Sequence, residues 1–274
     1  MGLFKRALEH TMSEKLPFKA RKRLIIFIAL ITVLSMVTST VAWFTVNTFA
    51  GVQVFELHIS MPDELRVSME NHGSDIEQYV YVVTNEMVDS YLAKDNTNLN
   101  DMLLAPVTTT DGSNFTFQNR ANVAQPNQRG TLLQFKCWFI GTRDMYVHLT
   151  TEGDNTEGRN GVTTTRVSTS DPAPKSDIVR AIRVGFTSDN GAKTWEPNKE
   201  GSSTSLPTFD LPSGTMVYSN DNQLFHLDRL TPKEVTISIW MEGEDPECDN
   251  DVQGAKLEVE LSFVACDENG NPIS

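Results

Sequence analysis

The sequence predicts an all-β fold, an antiparallel β-sandwich or jelly-roll with long loops and one or two short helices, set behind an N-terminal apolar signal or anchor helix. Three observations predict it. Apolar and polar residues alternate with a period of two in several segments, long Ser/Thr/Gly/Asn/Asp-rich connections separate those segments, and an uncharged apolar run follows a basic cluster near the start. The chain has 274 residues and no interior Pro/Gly linker, so residues 43–274 read as one extracellular domain behind a segment spanning 1–42.

The N-terminal segment comes first in the chain. Arg21-Lys22-Arg23 abuts the uncharged run from Leu24 to Val37, and small residues from Thr38 to Ala42 precede Trp43. A basic stretch, an apolar stretch and a small-residue end are the layout of a secretory signal, with Thr40 and Ala42 at the two positions a signal peptidase reads. Cleavage is therefore expected between Ala42 and Trp43. The apolar run is short against the roughly 20 residues that a bilayer helix needs, although continuing to Phe44 would make it long enough to remain as an anchor through residues 24–42. Either way the basic cluster stays inside, and residues from 43 onward are expected to be secreted or held at the cell surface.

From Val52 the pattern becomes that of strands. Phe55, Leu57 and Ile59 share one face, and Leu65, Val67 and Met69 follow after the break at Met61-Pro62-Asp63. Further strands are expected over 132–140, 145–150, 178–187, 235–240 and 257–264. In the last, Leu257, Val259, Leu261 and Phe263 alternate with Lys256, Glu258, Glu260 and Ser262, the signature of an antiparallel strand with one buried and one wet face. Only residues 85–104 look helical: Met87, Val88, Tyr91 and Leu92 recur at helical spacing, as do Leu99, Met102 and Leu103 after a polar interruption at 95–98. The stretches 107–130, 152–177 and 188–222 read as surface loops, too long for simple hairpins.

Charge divides the chain in the same place. The net charge is −13, yet the first 42 residues carry seven basic and two acidic side chains, so the remainder carries −18. A domain of that sign repels phosphate backbones, which excludes nucleic acid as a partner. Cys137, Cys248 and Cys266 are odd in number and lack CxxC spacing; Cys137 alternates with apolar neighbours and reads as a small buried hydrophobe, while pairing of Cys248 with Cys266 stays open.

No catalytic constellation is legible. There is no HExxH, GxSxG, Walker loop or GxGxxG, and His58, His72, His148 and His226 stand singly, with His58 and His148 on strands as solvated side chains. One ion-binding candidate exists in the acidic run 242–251, where Glu244, Asp245, Asp249 and Asp251 would be the calcium ligands. The alternative is a solvated turn, since Pro246 and Asn250 form turns in their own right, with Trp240 beside it in the core.

Four blocks carry a resemblance to a known class. Thr40-Val-Ala-Trp-Phe-Thr45, Leu104-Ala-Pro-Val-Thr-Thr-Thr-Asp-Gly112, Arg180-Ala-Ile-Arg-Val-Gly-Phe186 and Ile239-Trp-Met-Glu-Gly-Glu-Asp-Pro-Glu-Cys248 together resemble the TasA and camelysin class of exported surface proteins of Gram-positive, particularly clostridial, bacteria, whose signals are cut by a SipW-type peptidase. The resemblance implies a jelly-roll fold and, in the TasA branch, assembly into biofilm-matrix fibres. There the segment after the cleavage site completes the sheet of the next subunit by β-strand addition, and the matching residues here run from Trp43 to Ile59, with Phe55, Leu57 and Ile59 as the donor face. The same pattern also suits the first strand of the chain's own sheet. Camelysin is described as a metalloprotease, so a secreted protease with an unrecognised metal site is one alternative, and a membrane-tethered binding module is another.

Overall fold

A computed structural model describes residues 22, 23, 25–32, 49–60, 64–117, 122–151, 164–197, 206–212 and 214–273. The chain forms two units, Met1–Asn47 and Thr48–Ser274. In the first, residues 22, 23 and 25–32 are helical, Ile25, Phe27 and Leu30 are exposed, and the Thr32 hydroxyl donates to the Ile28 carbonyl at 2.8 Å. Among the described residues no helix is long and apolar enough to cross a membrane. The expected cleavage boundary at Ala42 and Trp43 lies outside the described residues.

Among its described residues the second unit has fourteen strands: β1 (Ala50–Ile59), β2 (Leu65–Ser68), β3 (Val82–Val83), β4 (Leu103–Leu104), β5 (Pro106–Thr108), β6 (Thr116–Phe117), β7 (Leu133–Gly141), β8 (Met145–Leu149), β9 (Arg166–Ser168), β10 (Ile182–Ser188), β11 (Gly191–Trp195), β12 (Phe225–Leu227), β13 (Lys233–Glu242) and β14 (Lys256–Cys266). They form two seven-stranded sheets. One runs β12-β8-β14-β1-β3, with β4 on β1 and β9 on β14; the other runs β11-β10-β13-β5-β6, with β7 on β13 and β2 on β7. The period-two patterns made the long strands, since each places its apolar residues on one face and gains most by burying that face against another sheet.

The two sheets pack through aromatic contacts. Phe55 of β1 meets Phe135 of β7 edge-on at 4.9 Å between ring centres, and Phe139 of β7 lies 5.0 Å from both Phe225 of β12 and Phe263 of β14. All of these rings are fully buried, each contributing area that dominates core energetics. Cys137 belongs to the same core, its Sγ 3.5 Å from Met69 Sδ, as its alternation with apolar neighbours predicts.

Several expectations are corrected. The sheets are not purely antiparallel: β1 runs parallel to β14, and β5 runs parallel to β13. The stretch 178–187 opens with a helical turn, α2 (Ile178–Ala181), before β10, which lets Ile178 and Ala181 reach the core from outside the sheet. The helical stretch 85–104 is helical only in its first half. Helix α1 (Asn85–Leu92) passes into a 3-10 turn that ends where Asn96 adopts φ 57°, a conformation asparagine tolerates better than most residues. Asn98 then caps a second 3-10 turn, its Oδ1 accepting from the Asp101 amide at 3.0 Å, and the chain extends into β4. The stretches read as loops contain β5, β6, β9 and β11, strands of two to five residues that are too short to show a period.

Candidate functional site

The first strand is held on both of its edges. Toward β14 it forms a parallel ladder whose partners run from Gly51 with Lys256 to Ile59 with Phe263, interrupted by one irregularity between Val52 and Val54. That bulge resets the alternation, so Val52 and then Phe55, Leu57 and Ile59 all point inward. On the opposite edge β4 covers Ala50 and Gly51, β3 covers Leu57 and His58, and the gap between is closed by Asn85 at the start of α1, whose Oδ1 accepts from the Phe55 amide at 2.7 Å. The predicted donor residues Phe55, Leu57 and Ile59 are thus buried within the chain's own sheet.

Two of the blocks that carry the resemblance meet around Arg183. This side chain is fully buried on β10, its Nη1 donating to the carbonyls of Arg180 at 2.6 Å and Ile182 at 3.0 Å. Its Nη2 pairs with Glu196 Oε1 at 2.9 Å and with Asp245. Glu242 is buried nearby and accepts from Trp240 Nε1 at 3.0 Å and the Glu244 amide at 3.2 Å; burial pushes its carboxyl above the usual range, against the hydrogen bonds and the Arg183 charge. A charged group this deep requires partners, because an unpaired buried ion costs several kcal/mol. Trp240 is core, but of a second small cluster with Val107, Phe115, Leu132 and Leu206 on the outer face of its sheet. Gly185 makes room for it: an added Cβ there would lie 3.0 Å from the Trp240 ring.

The four calcium candidates are not brought together. Asp245 is buried against Arg183, its Oδ1 also accepting from the Glu247 amide at 3.0 Å, and Asp249 accepts from the Asp251 amide at 2.8 Å to cap a 3-10 turn. Among the described residues no group of three or more His, Cys, Asp or Glu is arranged to hold a metal ion. Cys248 and Cys266 are not bridged, and burial, reinforced by Asp245, Glu242 and Asp249, pushes the Cys248 thiol up to about 12, so it is a poor thiolate.

Each of the four described histidines has its own partner. His58 Nε2 lies 3.0 Å from Glu56 Oε2, His72 Nε2 3.1 Å from Ser68 Oγ, and His226 sits on the Tyr146 ring. His148 was expected to be solvated and is instead buried, because residues 214–224 cross the outer face of its sheet; its Nδ1 lies 2.9 Å from Asn222 Oδ1, its ring is 5.0 Å from that of Tyr218, and burial lowers its pKa.

Sequence patterning found the buried face of β1 but not the buried ion group of Arg183 and Glu196. The arginine within an apolar strand pattern, followed two residues later by Gly185, was the available signal for the first. No family model, curated protein or solved structure matches the chain.

Proposed function

We propose that the chain is an exported, non-enzymatic structural protein of the cell surface or biofilm matrix, a jelly-roll of the TasA-like class that self-associates by donating residues 43–60 to the next subunit. In this reading residues 24–42 engage the membrane until a signal peptidase cuts after Ala42, and the freed β1 enters a neighbour. The jelly-roll assignment draws support from the way the chain crosses between sheets, β1 and β2 lying in different ones, as do β7 and β8, and β13 and β14.

The observation that carries the proposal is the position of β1. Among the described residues it is the first strand after the expected cleavage boundary, and the chain passes from it through residues 60–64 into β2 of the other sheet. A terminal strand of that kind can be replaced by an identical one from another copy without threading a loop, and the exchange preserves every contact while joining two subunits.

A purified chain beginning at Trp43 should form filaments or higher oligomers as its concentration rises, visible by electron microscopy and light scattering. Strictly monomeric behaviour across a wide concentration range would overturn the proposal.

A further inference from the structure

The exchange reading leaves one question that its own contacts raise: what fixes the register of the donated strand. Alternation excludes a one-residue slip, which would turn Phe55, Leu57 and Ile59 outward, but a two-residue slip keeps the same faces. Features that differ along the strand must therefore decide: the bulge between Val52 and Val54 is one, and another lies at the strand's start.

Phe49, immediately before β1, is held by two glycines from different parts of the domain. Its carbonyl accepts from the Gly254 amide at 2.7 Å, and its ring lies so close to Gly130 that an added Cβ there would be 2.7 Å from Cε1. Gly130 has φ +80° and Gly254 φ +72°, backbone conformations that L side chains rarely adopt, so both positions favour glycine by conformation. The Gly130 amide donates to the Leu103 carbonyl at 2.8 Å, and the Gly51 amide to the Ala255 carbonyl at 2.9 Å, tying the seat to β4 and to the start of β14. Both glycines belong to parts of the fold outside β1.

We infer that Phe49 sets the register of β1, with Gly130 and Gly254 as its socket, and that the same socket reads the strand of a second copy of this chain. This inference rests on the strand-exchange proposal for its intermolecular half. A donor slipped by two residues would bring residue 47 or 51 to the socket, an asparagine or a glycine, neither of which supplies the ring.

The test uses chains beginning at Trp43. Glu56 is the ladder partner of Glu260, and Glu258 lies two residues away opposite Val54. A donor carrying Glu56→Cys is mixed with an acceptor carrying either Glu260→Cys or Glu258→Cys, each bearing a distinguishable tag, and disulfide-linked heterodimers are counted after mild oxidation. The same cysteine pairs are also placed within one chain. Donors with Phe49 should cross-link selectively to position 260, and Phe49→Ala in the donor or Gly130→Ala in the acceptor should reduce that selectivity several-fold. Selectivity unchanged by both substitutions, between chains or within one, overturns the socket. Absence of cross-links between chains, with cross-links inside one chain whose selectivity falls on Phe49→Ala, overturns strand exchange and with it the intermolecular half of the inference, while Phe49 keeps its register role.

Discussion

The Phe55 amide donates to Asn85 Oδ1 at 2.7 Å, joining the middle of β1 to the first residue of α1 across thirty residues of chain. Neither β3 nor β4 reaches this part of the strand, so the side chain of Asn85 takes the place of a missing ladder partner.

Replacing Asn85 with alanine should leave the Phe55 amide without an acceptor. A loss of about 1–3 kcal/mol is expected, the cost of a buried donor left unpaired. Urea unfolding should register it, and Asn85→Asp, which keeps an acceptor oxygen, should recover most of the loss.

Arg183→Met should destabilise the domain by about 3–5 kcal/mol, since Glu196 and Asp245 would remain buried without their counter-charge. Chemical denaturation at neutral pH measures this directly. Arg183→Lys should not restore the native stability, because one ammonium cannot reproduce the guanidinium contacts to two carbonyls and two carboxylates.

Glu242 predicts a pH dependence of definite sign. Burial raises its folded-state pKa above the ordinary value of 4.5, so its contribution favours folding below that value and is lost as pH rises through the folded pKa. Glu242→Gln removes the ionisation. The stability of the native chain relative to this variant should therefore fall as pH increases from 4.5, measured as the difference between their unfolding free energies; a difference that is flat or rises with pH contradicts the assignment.

Phe139→Ala should cost about 3–5 kcal/mol, because its ring contacts Phe225 and Phe263 across the sandwich and the surrounding sheets relax only partly into the cavity. Phe139→Leu should cost less, and both effects should appear as a lowered denaturation midpoint.

Millimolar calcium should leave the melting temperature within about 1 °C of its value in chelator, since a ligand stabilises only in proportion to its occupancy of the native state. Asp245 is committed to Arg183 and Asp249 to its own turn. A calcium-dependent rise of several degrees that Asp249→Asn abolishes would show that the acidic turn binds the ion after all.

The long strands were legible because alternation in segments such as Phe55, Leu57, Ile59 or Leu257, Val259, Leu261 leaves only one face to bury. The pairing of β1 with β14 was not, since a strand's pattern records which face is buried and not which neighbour lies beside it. Strands such as Arg166–Ser168 and Phe225–Leu227 escaped because three residues cannot establish a period. At the candidate site the buried face of β1 was readable and the surroundings of Phe49 were not: Phe49, Gly130 and Gly254 are distant in sequence and acquire meaning only when the fold assembles them. His148 was misread because its cover, residues 214–224, comes from a stretch that looks like an open loop.

If the chain is exported as proposed, the parallel pairing of β1 with β14 also sets an order of assembly. If the chain crosses the membrane from its N-terminus, β1 emerges about 200 residues ahead of its ladder partner, so this long-range contact closes late. In that case the first strand would have no native bed until β14 emerged. Neighbouring molecules that have already emerged would compete for it in that interval, so the crowding of export sites on a cell, as well as the affinity of the groove, would govern whether a chain closes on itself or joins another.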